Sequence, residues 1–219
     1  MYLIAAATSF ELAPFSQAVS GAVPFATLVT GIGPVEAAMR CTLFLARHEG
    51  EISGVMNIGV AGAYCREQGR AALLDICLAS REVLGDLGIC GEDHIQSLSG
   101  GSLEIVDTFD LDQPLLQQAV AITLSLPLAC HTGTFVTVNC VSGTRQRGDS
   151  LARRHDALCE NMEGAAIARV CQHFGLPLLE LRCVSNLVEQ RDRQQWRLHE
   201  ACQRSGEVAA AVFERLPHG

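Results

Sequence analysis

The chain of 219 residues contains no lysine; all 16 of its basic residues are arginine. Chemistry that needs an ε-amine is therefore excluded, Schiff-base formation and a Walker-type phosphate loop included. Positive charge is scarce overall, with 16 basic residues against 24 acidic ones and a formal net charge of -8. That is the wrong sign for an electrostatic footprint on nucleic acid or anionic lipid, so neither is expected as a partner. No apolar run approaches the ~20 residues a membrane-spanning helix needs. The opening MYLIAAATSFE has no basic stretch and reaches Glu11 early, unlike a secretory signal, so a cytoplasmic location is expected. No two of the ten cysteines form a CxxC pair, and most sit in apolar runs, as reduced core cysteines do. The seven histidines lack a ligand spacing such as HExxH, and no metal is expected.

Apolar residues are plentiful, at 48% against 18% charged, with a mean hydropathy of +0.22. This is the balance of a thick buried sheet, and the length suits one α/β domain over residues 1–219. No repeat or linker interrupts it. Short apolar runs alternate with segments of helical period, the pattern of β-α units covered on both faces. The reading gives strands at Tyr2 to Thr8, Phe25 to Thr30, Val55 to Val60, Leu73 to Val83, His131 to Val141 and Pro177 to Val184. Helices are expected from Ser9, as N-cap, to Val19, from Pro34 to His48, and over Leu115 to Leu124. Asp149 to Ala157, Glu163 to Phe174 and Arg193 to Arg215 complete the set, and Gly85 to Gly101 reads as a loop.

Gly31-Ile32-Gly33 between a strand and a helix is half of a dinucleotide fingerprint, but Glu36 stands where a third Gly belongs. A tight turn explains it equally well. Gly59-Val60-Ala61-Gly62 has the same two readings, turn or close approach to a flat ligand. Three polar residues fall near the ends of different strands, where open sheets place their ligand crevice: Glu11, Glu163 and Asn186. Each alone is also an ordinary helix-start carboxylate or turn residue. Arg153-Arg154-His155 reads as a solvated helix face, and Trp196 as a packing residue.

Taken together, Thr30-Gly31-Ile32-Gly33, Asn57-Ile58-Gly59-Val60-Ala61-Gly62, Asn161-Met162-Glu163-Gly164-Ala165-Ala166 and Arg182-Cys183-Val184-Ser185-Asn186 resemble the purine nucleoside phosphorylase and nucleosidase superfamily. The resemblance implies a three-layer α/β/α sandwich with a mixed central sheet, a nucleoside substrate, no cofactor, and a homo-oligomer, dimeric or larger. Within the superfamily, Ala6 to Phe15, Glu160 to Glu163 and Val188 to Trp196 look like the futalosine hydrolases, which remove hypoxanthine from futalosine in an alternative route to menaquinone.

The phosphorylases commonly carry a phosphate-binding Arg where this chain has Asn57, and no GDPxR-like segment follows the first strand, so water is the expected nucleophile. By resemblance Glu11 is its general base. Glu163 grips the ribose hydroxyls, with Met162 against the sugar face. Ser185, Cys140 and Val141 line the substrate, the last two through backbone contacts to the base, and Val60, Ala61 and Gly62 form the loop beneath the nucleoside. Adenine-specific relatives have Asp at the position of Asn186. An amide donates to O6 and N7 of a 6-oxopurine, where a carboxylate would meet O6 as acceptor against acceptor. Two places depart from the pattern. Asn161 stands where a second sugar-binding Glu is common, with Glu160 displaced by one, and the Arg that meets the futalosine benzoate is open among sixteen. Three rivals remain: a methylthioadenosine/S-adenosylhomocysteine nucleosidase, a 6-oxopurine nucleoside phosphorylase and a non-catalytic nucleoside-binding protein.

Overall fold

The structure is a computed structural model, and residues 1–65, 71–91, 95–96, 98, 104–188 and 195–217 are described. The strands are β1 (Tyr2–Ala6), β2 (Phe25–Val29), β3 (Gly54–Tyr64), β4 (Ile76–Leu84), β5 (Ile89–Cys90), β6 (Ile95–Gln96), β7 (Thr108–Asp110), β8 (Cys130–Thr137), β9 (Ala157–Asn161) and β10 (Leu178–Val188). The helices are α1 (Ser9–Ala18), α2 (Pro34–Arg47), α3 (Gln113–Thr123), α4 (Arg145–His155), α5 (Gly164–Phe174) and α6 (Leu198–Arg215).

The central sheet runs β10-β4-β8-β9-β3-β1-β2, with β7 on β4. It is mixed: β10 lies antiparallel to β4 and β9 antiparallel to β3, while β1 is parallel to β2 and β3, and β8 to β4 and β9. Because β10 also pairs in parallel with β3, five strands close on one another while β1 and β2 extend as an open wing. Alternation along the strands explains the layers. Leu3, Ala5 and Val55 face α2 and α5. Ile4, Ala6, Met56 and Ile58 face α1, α3 and α6. The fold is thus the expected three-layer α/β/α sandwich with a mixed sheet. A triad of Phe15, Phe25 and Phe213, edge to face at 5.5 to 5.8 Å between centroids, ties α1, β2 and α6 together.

Several expected boundaries move, each for a local reason. The α1 N-cap is Thr8 rather than Ser9, because Thr8 is extended and exchanges hydrogen bonds with Glu11 in a capping box. Strand β3 does not close at Val60 but runs through Ala61-Gly62-Ala63 to Tyr64, since β9 and β10 pair with it there. The helix placed at Asp149 to Ala157 begins four residues earlier, at Arg145 after the Thr144 cap, and Ala157 already belongs to β9. The segment Gly85 to Gly101 contains the β5–β6 hairpin, and its residues 92–94, 97 and 99–101 lie outside the described residues. Residues 193 and 194 of the expected closing helix lie outside them too; α6 begins at Leu198. Among the described residues no helix is long and apolar enough to cross a membrane.

Candidate active site

Above the ends of β1, β3, β9 and β10 lies a cavity of about 370 Å³, lined by Glu11, Glu163 and Asn186 together. It also touches Val60, Ala61, Gly62, Val141, Met162 and Ser185. Cys140 is the exception. It is exposed and outside the lining, its carbonyl accepting from Arg147 at 3.0 Å and its amide donating to Asp86 at 3.3 Å.

Glu11 is placed by its own helix start. Its Oε2 accepts from the Thr8 amide at 3.1 Å and the Thr8 hydroxyl at 2.8 Å, while Oε1 accepts from the Val60 amide at 3.2 Å. The carboxylate is thereby aimed across the end of β3, only 7% of the residue being exposed. Arg182 reaches the same spot from β10: a Cβ on Gly59 would stand 2.6 Å from Glu11 Oε1 and 2.8 Å from Arg182 Nη1. Glycine keeps that polar gap open.

Glu163 caps the turn from β9 into α5. Its Oε1 accepts from the Gly33 amide at 3.0 Å, and its Oε2 lies 3.5 Å from Arg182 Nη1. Gly33 can aim that amide because it sits at φ +91°, a backbone region costly for residues with a Cβ. The Gly-Ile-Gly segment is therefore a turn that feeds one donor to Glu163. Burial pushes the Glu163 carboxyl above its usual range, opposed by the Arg182 charge and the Gly33 amide and reinforced by Glu11 and Glu180.

Asn186 owes its position to an irregularity. Val184 pairs with Ala61 and Asn186 with Gly62, so Ser185 is an extra residue in β10, and this bulge re-aims Asn186. The Ser185 hydroxyl lies 2.9 Å from Asn186 Oδ1 and 3.3 Å from the Ala61 carbonyl. With Oδ1 taken by the shorter bond, Nδ2 is left as a donor.

Both candidates for a second sugar contact are held by other bonds. Asn161 Oδ1 accepts from the Glu163 and Gly164 amides at 2.9 and 2.8 Å, and its Nδ2 donates to Glu82 at 2.6 Å. Glu160 is held by the Ser142 amide at 2.7 Å, the Ser142 hydroxyl at 2.6 Å and the Tyr64 hydroxyl at 3.3 Å. Burial raises its carboxyl, and these donors work against the rise. Trp196 lines the cavity with Phe10 and Leu198, so it is wall and not only packing. Residues 189–194 of the Val188 to Trp196 segment lie outside the described residues. Arg182 is the arginine that lines the cavity among the described residues.

Behind the cavity is a second network that sequence reasoning missed. Arg182, 1% exposed, donates through Nε to Glu180 Oε1 at 2.9 Å, which also accepts from Asn57 Nδ2 at 3.0 Å. Glu82 accepts from the Thr137 hydroxyl at 2.8 Å and hydrogen-bonds Glu180. Burial and the Glu180 charge push the Glu82 carboxyl well above its usual range. A signal was present: Glu180 and Arg182 stand two apart in the otherwise apolar run Leu178 to Val184, hence on one face. Among the described residues no group of three or more His, Cys, Asp or Glu is arranged to hold a metal.

A family model of the phosphorylase superfamily matches residues 11–216. The chain belongs to the phosphorylase superfamily. Among curated relatives, the futalosine hydrolase of Thermus thermophilus is 37% identical over 180 residues, covering 81% of this chain and 76% of that one. The futalosine hydrolase of Streptomyces coelicolor is 34% identical over 199 residues, covering 87% and 81%. A methylthioadenosine/S-adenosylhomocysteine nucleosidase from Marinomonas is more distant, 28% identical over 169 residues, covering 76% and 70%. Solved folds agree throughout. A mutant of the Helicobacter pylori nucleosidase with methylthioadenosine in its active site gives a TM-score of 0.84 at 20% identity, covering 99% of each chain. A mutant of the same organism's futalosine hydrolase gives 0.83 at 20%, covering 98% and 99%.

Proposed function

We propose that the chain is an N-glycosidic hydrolase that cleaves futalosine to hypoxanthine and dehypoxanthine futalosine. The observation that carries this reading is the Asn186 amide, whose oxygen is held by Ser185 and whose Nδ2 is left to donate in a cavity that also holds Glu11 and Glu163. A donor suits O6 and N7 of a 6-oxopurine, and it stabilises the base as negative charge develops on it. Water attacks C1′ and gives a proton to Glu11, while the electrons of the C1′–N9 bond leave with hypoxanthine, whose anion the Asn186 amide stabilises until it takes a proton from solvent. Glu163, an acceptor once ionised, holds the ribose hydroxyls, and Met162 covers the sugar. Arg182 sits beside both carboxylates, and its charge favours the ionised form of Glu163. The two futalosine hydrolases described above support the substrate more directly than the more distant nucleosidase.

Self-association goes with this reading: Ile32, Val35, Met39 and Leu43 form an exposed apolar stripe along α2, and Ile32 also lines the cavity. Analytical ultracentrifugation of wild type should give at least a dimer; a monomer at all concentrations contradicts it. The catalytic reading is tested by chromatography of the bases released from futalosine, inosine, methylthioadenosine and S-adenosylhomocysteine. Hypoxanthine from futalosine is expected; adenine from the thioethers instead would overturn it, and no release at all would favour a silent binding protein.

A further inference from the structure

Glu160 is a charged side chain in the cavity wall, 4% exposed, for which the proposed reaction has no use. Its position is set by the sheet. Gly62 of β3 pairs in register with Asn186 of β10 on one side and with Glu160 of β9 on the other. Residues paired across strands send their side chains to the same face. Asn186 and Glu160 therefore flank a residue with no side chain. Strands are spaced about 4.8 Å apart, so the outer Cα atoms of this row stand roughly 10 Å apart. A Cβ on Gly62 would lie 3.1 Å from Asn186 Nδ2, 3.1 Å from Val188 Cγ2 and 3.6 Å from Glu160 Cγ, so the two polar side chains approach the space above the glycine with a Val188 methyl beside them. The row is a slot with a donor at one side and a carboxylate at the other.

Resting on the hydrolase reading above, we propose that Glu160 is a specificity-determining residue that accepts the N1–H of the 6-oxopurine base. Along its edge a 6-oxopurine presents N7 and O6 as acceptors and N1–H as a donor. A 6-aminopurine presents N7 as acceptor, its amine as donor and N1 as acceptor. The slot complements the first at both sides. Against the second it sets the Asn186 amide against the amine as donor against donor, and the Glu160 carboxylate against N1 as acceptor against acceptor. An ionised carboxylate has about four lone-pair sites. The Ser142 amide, the Ser142 hydroxyl and the Tyr64 hydroxyl occupy three of them and fix the group in place. One site remains for the base. The same contacts consume the Ser142 amide, a donor on the cavity wall that would otherwise suit N1 of adenine. Glu160 thus supplies one acceptor and removes one competing donor.

The experiment compares wild type with Glu160→Gln on futalosine and on its analogue bearing adenine in place of hypoxanthine. If wild type does not cleave futalosine, the hydrolase reading fails, and this inference with it. If it does, the ratio of kcat/KM for the two substrates should fall by roughly 10²-fold in the variant, because an isosteric amide restores a donor beside N1. A purely structural role in holding Ser142 would lower both substrates in parallel and leave the ratio unchanged, which would overturn the proposal. Should the variant not fold, wild type alone decides. Hypoxanthine should then inhibit at least roughly tenfold more tightly than 1-methylhypoxanthine, which lacks the N1–H. Equal inhibition by the two bases would overturn the assignment.

Discussion

At the front of the cleft, Glu11 and Glu163 take their hydrogen bonds from the Thr8 hydroxyl and from backbone amides, and they open onto a cavity; behind it, Glu82 and Glu180 are fully buried. Both pairs lie near Arg182, and burial pushes the Glu163, Glu82 and Glu180 carboxyls upward. What separates them is access. Glu82 and Glu180 are bonded to Thr137, Asn161, Asn57 and Arg182 and stand outside the cavity lining, although Asn57 Oδ1 and Arg182 Nη2 there have no hydrogen-bond partner. Glu11 and Glu163 line the cavity. A buried acid marks a reactive site where it opens onto space for a ligand, not simply where its titration is perturbed.

The front pair can be broken first. Glu11→Gln keeps the size and, through its one oxygen, the Thr8 contacts, but it removes the base and the acceptor for the Val60 amide, so kcat on futalosine should fall by roughly 10³-fold or more. Calorimetric binding of futalosine should stay near the wild-type affinity. The back pair breaks by overpacking. A Cβ on Gly164 would lie 2.0 Å from Glu82 Oε1 and 2.6 Å from Glu180 Oε2. Gly164→Ala is therefore expected to cost about 3 kcal/mol, read by urea denaturation.

A third expectation uses proton linkage. Glu163 must be ionised to accept ribose hydroxyls, and its carboxyl lies above the usual range. Activity should therefore fall with acid at a higher pH than an ordinary glutamate would give, and Arg182→Met, which deletes an opposing positive charge, should move that limb higher still. The smallest effect is expected at Glu82→Gln. An amide mimics the protonated acid, so at mildly acidic pH the variant should lie within about 1 kcal/mol of wild type. Because the folded pKa of Glu82 is raised, its stabilising contribution is present below the unfolded value and lost as pH rises through the folded one. Thermal melts across pH should therefore show wild type losing stability relative to the variant as pH rises.

Much of the layer order was readable because the strands are apolar runs and α2 opens on Pro34 after two glycines. Of the residues that line the cavity, Glu11, Glu163 and Asn186 could be named because each follows or ends a strand. What hid the rest was long-range pairing. The continuation of β3 through Ala61-Gly62-Ala63 depends on β9 and β10 arriving from a hundred residues away, and small residues alone read as a turn. Thr8 and Ser9 are equivalent caps in sequence, and only the reciprocal bond with Glu11 separates them. Cys140 was placed by counting along a segment whose backbone turns outward to Asp86 and Arg147. Glu82 and Arg182 lie on different strands, about a hundred residues apart, and their partnership exists only across the sheet.

The central claim is that water, not phosphate, attacks the sugar in this cleft. The direct measurement is the initial rate of hypoxanthine release from futalosine in phosphate-free buffer and in buffer with added phosphate, with mass spectrometry of the sugar product. The account predicts equal rates and a free sugar in both. A rate that requires phosphate, or a sugar 1-phosphate among the products, would contradict it.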